Sequence, residues 1–212
     1  MKRITLFSLL AAFVAALSFT SCNTDGDSYT ALTPEQQYQC QSAMEGFHSG
    51  KLYFSHKNEA DVKNQTDSVD IAWYNHASDS SMTIRNFPIS KLAEHVTYEP
   101  LKEVVAQSPD QELKFKVVTY KTEGSYLYNQ VFPLTITMEN VEYDGEKHKV
   151  QWVFYMDYYS ITGVFDFSKK IMQNQFYLYG IWIDDKQTDY LKNSVSTNGQ
   201  QTNIIPFLMT TK

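Results

Sequence analysis

Chemistry in this chain would have to come from its histidines, its carboxylates or its aromatic rings. The five histidines are His48, His56, His76, His95 and His148. None stands four residues from another on a helical stretch, the spacing that lets two imidazoles share a zinc ion, and no cysteine pair lies nearby. Metal binding is therefore not expected, and His148, beside a hairpin turn, reads as exposed. Asp184, Asp185 and Asp189 are the densest carboxylate cluster. Calcium needs several converging oxygens on a loop turned by glycine. The EF-hand order is missing here, so these aspartates read as a solvated strand end. A pair of carboxylates for glycoside hydrolysis stays open, because the spacing that matters there is spatial. The chain has no GxSxG elbow and no glycine loop for phosphate. No cofactor and no enzymatic activity are expected.

The aromatic rings are the unusual feature, 15% of the chain. Alternation on one predicted strand sets Trp152, Phe154, Met156 and Tyr158 against Val153, Tyr155 and Tyr159. On the next it sets Phe176, Leu178 and Trp182 against Tyr177, Tyr179, Ile181 and Ile183. A strand apolar on both faces is covered on both, or lines something. In the first case one face fills the core and the other packs under helices. In the second the rings line a cavity or groove, and Trp152, Tyr155, Tyr177, Tyr179 and Trp182 are the ligand-binding residues. Tyrosine and tryptophan combine an apolar ring with a hydrogen-bonding handle, which suits sugars, sterol-like molecules or apolar peptides.

The elements that would position these rings follow a leader. Lys2 and Arg3 precede an uncharged apolar run, Ile4 to Phe19. That run is short of the roughly 20 apolar residues of a membrane span and suits a signal peptide, residues 1–21. Phe19-Thr20-Ser21-Cys22 resembles a lipobox, with Cys22 carrying the lipid. Residues 22–31 read as a flexible tether, and their acidic residues resemble a surface-export signal. Residues 32–212 read as a single β-rich domain. Losing Lys2 and Arg3 leaves 16 basic against 24 acidic residues, net −8, so nucleic acid is not an expected partner.

Thr33-Pro34-Glu35-Gln36 predicts a capped helix to about Glu45. Its apolar face, Cys40, Ala43, Met44 and Phe47, makes Cys40 a core residue rather than a reactive thiol. Period-two alternation then predicts strands at 51–56, 68–74, 81–87, 113–121, 126–132, 134–139, 147–159, 160–167, 171–184 and 203–210. A small helical insert interrupts them between Pro88 and Pro109. Tyr143-Asp144-Gly145-Glu146 predicts a tight hairpin turn, and residues 185–201 read as loop. Short connections imply a mostly antiparallel sheet. The expected fold is mainly β: an antiparallel, lipocalin-like barrel with an N-terminal helix, or alternatively a two-sheet sandwich.

The segments LTPEQQYQCQSAMEGFHSGKLYF and TIRNFPISKLAEHV resemble a family of uncharacterised Bacteroides-type lipoproteins, a domain of unknown function. That resemblance implies an outer-membrane lipid anchor, facing the periplasm or the cell surface, and brings no activity with it. Asp67-Ser68-Val69 resembles an O-glycosylation motif of secreted Bacteroidetes proteins. The expected function is non-enzymatic binding of an apolar or carbohydrate ligand by a tethered domain. The alternatives are an assembly subunit that meets another envelope protein, or a small hydrolase.

Overall fold

The computed structural model describes residues 31–55, 66–156, 162–192, 194–195, 201–202 and 204–211. The expected leader, Cys22, the tether, His56, Tyr158 and Tyr159 lie outside the described residues. No described helix is long and apolar enough to cross a membrane.

The first element is helix α1, Pro34–Met44. Its capping box forms as the sequence predicts: the Gln36 N–H donates to Thr33 Oγ1 at 3.3 Å, and the Thr33 N–H to Gln36 Oε1 at 2.9 Å. Gly46, at φ 120°, turns the chain straight into strand β1, Gly46–Ser55. The strand thus begins five residues before the expected Lys51, because Gly46 already pairs with Asn75. There follow β2 (Thr66–His76), β3 (Ser81–Phe87), a 3₁₀ helix (Ile89–His95) and helix α2 (Glu99–Ala106). Then come β4 (Gln111–Glu123), β5 (Tyr126–Pro133), β6 (Ile136–Tyr143), β7 (Glu146–Phe154), β8 (Gly163–Asp166) and β9 (Ile171–Ile183). The last are β10 (Lys186–Gln187), β11 (Ser194–Val195), β12 (Gln201–Thr202) and β13 (Ile205–Thr211).

The predicted barrel is present. β13, β1, β2, β3, β4, β5, β8 and β9 pair in that order, all antiparallel, and β9 pairs back to β13. The ring is closed, which removes the free edges a sandwich would keep. Strand β9 also carries the β6–β7 hairpin. Asn174 pairs with both β8 and β13, and Leu178 with both β7 and β13. One edge of β9 therefore holds β13, and the other holds β8 at its start and β7 at its end. The Asp-Gly turn between β6 and β7 has φ 54° and 80°, the two positive values of a type I′ turn.

Among the described residues, the barrel interior holds a packed aromatic cluster. Phe176 stacks on Phe207 with centroids 5.2 Å apart, and Phe115 meets Phe176 edge-on at 5.0 Å. Phe87 and Phe154 close the cluster, and each of these rings is at most 3% exposed. Burying one phenylalanine contributes roughly 1.5–3 kcal/mol.

The seam that closes the ring is tight. A Cβ on Gly50 of β1 would sit 1.9 Å from the Thr210 carbonyl oxygen of β13. That neighbour is backbone and has no rotamer to yield. Gly50→Ala is therefore expected to destabilise the domain by about 1–3 kcal/mol or more, read as a lower urea midpoint. An unchanged midpoint would mean the seam opens without cost.

Candidate functional site

Between Val153 and Phe154 the β7–β9 register shifts: Phe154 faces Leu178, but Val153 faces Gly180. Strand β9 thus carries an extra residue, Tyr179, and the bulge reverses the faces beyond it. Gly180 and Ile181 are both buried. Ile181 joins Phe176 and Leu178 inside, and Trp182 moves to the side of Tyr177 and Tyr179. This corrects the alternation read from sequence, which grouped Trp182 with Phe176 and Leu178, and Ile181 with Tyr177 and Tyr179. Parity counting fails at a bulge.

The five expected ligand-binding residues accordingly divide. Trp152 is fully buried in the core, its Nε1–H donating to Met138 Sδ at 3.3 Å. It touches no surface and is removed from the site. The other four stay together on the outside of the barrel. Tyr155 and Tyr179 lie with ring centroids 5.9 Å apart, and the Tyr155 N–H donates to the Tyr177 carbonyl at 2.8 Å. Gln175 Nε2 donates to the Tyr177 hydroxyl, and burial raises the pKa of that phenol. The Trp182 indole N–H is buried with no acceptor.

Beside these rings is a groove of ≈ 410 Å³. Its floor is Gly180 and Leu191, and its walls are Tyr179, Gln187, Thr188, Asp189, Lys192 and Thr97. The segment that builds it was expected to be loop. It is instead a strap tied to the helical insert. Val96 bridges Leu191, the Thr97 N–H donates to Tyr190 O at 2.8 Å, and the Lys192 N–H to His95 O at 2.8 Å. Tyr98 stacks on Tyr190 at 4.7 Å. Thr188 is fixed by its hydroxyl to Ile181 O, 2.8 Å. The insert between Pro88 and Pro109 thus supplies one wall. The apolar floor is legible in the sequence as Leu191 within a polar run.

A second groove, ≈ 340 Å³, lies further along the same face. Tyr120, Tyr128, Val164, Gln173, Gln175 and Leu208 line it with Thr162 and Gly163.

The aspartate cluster does other work. Asp184 and Asp185, at φ 49° and 64°, form the two-residue turn between β9 and β10. Asp184 meets His148 Nδ1 at 2.8 Å and accepts the Lys149 N–H at 2.9 Å, and Asp185 pairs with the Lys149 ammonium at 2.5 Å. His148 is mostly covered, stacked on Tyr143 at 4.3 Å, rather than exposed as the hairpin suggested. Its oriented carboxylate partner resembles half of a catalytic dyad. The two residues nevertheless tie a turn to a strand, and tyrosine rather than a nucleophile lies against the imidazole. Burial pushes the Tyr143 phenol up to about 12, which keeps it protonated. Among the described residues no group of three or more His, Cys, Asp or Glu side chains could hold a metal ion. Cys40 is fully buried, its thiol pushed up to about 11 by desolvation, in keeping with a core role.

Sequence reasoning missed a polar girdle inside the barrel, under α1. Gln41 Nε2 donates to Thr119 Oγ1 at 3.1 Å, and Thr119 Oγ1 to Asn129 Oδ1 at 2.7 Å. Asn75 Nδ2 donates to Met44 O at 3.1 Å, and Asn174 reaches Met82 Sδ at 3.7 Å. A Cβ on Gly163 would lie 2.1 Å from Asn174 Oδ1, so glycine makes room for that amide. The signal was available as polar residues at inward positions of alternating strands. Ser68 of the Asp67-Ser68-Val69 motif is half-buried near the start of β2, its N–H donating to Asp67 Oδ1 at 2.7 Å.

The hydrogen bond with His148, then that from Lys149, hold the Asp184 carboxyl below the usual carboxylate range. A lowered pKa in the folded state stabilises above the unfolded value, about 3.9, and the benefit is lost as pH falls through the folded value. Asp184→Asn keeps a residue type that tolerates positive φ. The variant is expected to melt below wild type at pH 7, with the gap closing as pH falls below about 4. A gap independent of pH would assign the loss to packing instead.

The family model described as domain of unknown function (DUF4840) matches residues 43–183. The chain belongs to this family, whose span begins within α1 and ends with β9. No curated protein matches, and no solved structure matches.

Proposed function

We propose that this DUF4840 protein is a non-enzymatic, lipid-anchored binding protein that holds a carbohydrate on the outside of its barrel. One observation carries the reading. A packed phenylalanine cluster occupies the described interior, while Tyr179, the Gln187 amide, two threonine hydroxyls, Asp189 and Lys192 line an open groove outside. A sugar presents apolar C–H faces and a rim of hydroxyls. Tyr179 offers a ring to the first. Gln187, Thr188, Asp189 and Thr97 offer donors and acceptors to the second. The groove lies in the lower part of the ~300–1,000 Å³ range of small-ligand sites. A sterol-like ligand is disfavoured by so polar a lining.

The anchor is the lipid on Cys22, and the place is the outer membrane, facing the periplasm or the cell surface. An acidic body is repelled by anionic headgroups, so the acyl chains, at about 0.8 kcal/mol per buried CH₂, would hold the protein. Replacing Cys22 by alanine is expected to move the protein from the membrane pellet to the soluble fraction in its host. Retention in the pellet would remove the lipid anchor from the reading.

A glycan array carrying plant glucans, mannans and xylans together with mucin-type oligosaccharides tests the binding. Selective binding is expected, and Tyr179→Ala is expected to weaken it by about tenfold, as for truncation of an aromatic anchor. An assembly subunit would use the same face differently. It would bind no glycan, and a photocrosslinker at Tyr179 would capture another envelope protein on whole cells.

A further inference from the structure

The two grooves share one strand. Gln173 and Gln175 of β9 line the second, and Tyr179 lines the first. Residues two apart on a strand point the same way, about 6.8 Å on. Gln173, Gln175, Tyr177 and Tyr179 therefore form a row about 20 Å long on the outer face. They alternate with buried Met172, Asn174, Phe176 and Leu178. The neighbouring strand adds a parallel row, because Thr210 pairs with Gln173, Leu208 with Gln175 and Pro206 with Tyr177.

Outside the first groove, where Asp189 and Lys192 are opposite in sign, the two rows are uncharged, in a chain that is 20% charged and has a net charge of −6. Neither row carries an ionisable carboxylate or amine. The eight residues lining the second groove carry none either. Lys121 lies 5.4 Å from the Tyr128 ring centroid and is paired with Glu123 at 2.7 Å, and Lys51, which faces Thr210 across the β1–β13 ladder, is paired with Asp70 at 3.5 Å. By contrast, the outward side of β4 displays Glu112, Lys114 and Lys116. A track of amides and phenols whose one acid and one base, Asp189 and Lys192, offset each other in sign matches a ligand that is neutral, hydroxyl-rich and extended.

We infer that β9 is the bed of a single binding track, and that the ligand is a neutral oligosaccharide chain spanning both grooves. This rests on the carbohydrate reading of the first groove and adds chain length and neutrality to it. Tyr120 and Tyr128 receive one end of the chain, Gln175 and Tyr177 its middle, and Tyr179 the other end.

Isothermal titration with di- and hexasaccharides of the glucose, mannose and xylose series tests it, using the soluble domain from Asn23 onward. In the series that binds, the hexasaccharide is expected to bind on the order of tenfold tighter than the disaccharide. Tyr128→Ala should bring that ratio to about one. Leu208→Lys, an exposed change that puts a charge into the second groove, should do the same and guards against misfolding of the tyrosine variant. A wild-type ratio near one overturns the extended track, as does a ratio that neither variant alters. Glucuronic or galacturonic hexamers binding better than neutral ones overturns neutrality. A wild-type domain that binds neither length overturns the carbohydrate reading itself, and that failure is distinct from the others.

Discussion

The structure depends on the last strand closing the ring. β13 pairs with β1 along one edge and with β9 along the other, so the ring closes only once residues 205–211 are in place. Closure brings Phe207 onto Phe176 and Phe87, and sequesters residues that begin far apart in sequence. It also fixes the available volume. Rings that meet at centroid distances of 5–6 Å leave no room between them for a ligand, since protein interiors pack at crystalline density. At the level of this cluster the packing is tight, and the two grooves described above lie outside it.

Strand β9 makes the outside useful. Its length lets it belong to the barrel at its start and to the β6–β7 hairpin at its end. Pairing on both edges holds it rigid, and a rigid strand presents side chains more accurately than a loop does. The bulge at Tyr179 divides its two duties. Before it, Tyr177 and Gln175 face outward in the barrel register. After it, Ile181 turns in to meet Trp152, and Trp182 turns out. The extra residue also re-aims the chain toward the turn at Asp184, from which the strap returns over the groove to the helical insert.

Much of this was legible in the sequence because it follows local rules. Thr33 to Gln36 is a cap that depends on four residues, and it forms as read. The strand at 81–87 is found with the predicted bounds, since Met82, Ile84 and Phe87 are buried and Arg85 and Asn86 are not. What failed was non-local. The placement of Trp182 depended on an extra residue relative to a partner strand, which alternation within one strand does not register. The strap at residues 186–192 looked like loop because its order comes from backbone contacts with His95 and Thr97, distant in sequence. His148 looked exposed because its partner, Asp184, is brought to it only by the β7–β9 pairing.

The girdle under α1 has the same origin and shows how the interior is finished. Asn75, Thr119, Asn129 and Asn174 stand at inward positions on β2, β4, β5 and β9. A buried amide without a partner costs about 1–3 kcal/mol, so such residues are tolerated only where donors and acceptors converge. Here Gln41 and the Met44 carbonyl descend from α1 to meet them, and methionine sulfurs accept the remaining N–H groups. Helix α1 has a weak apolar face, with only Cys40, Gln41 and Met44 buried. Non-specific burial of that face would seat the helix poorly. Its hydrogen bonds to β2 and β4 instead give it one position and one orientation on the barrel. The polar layer thus costs the barrel apolar burial and gives the helix a defined seat.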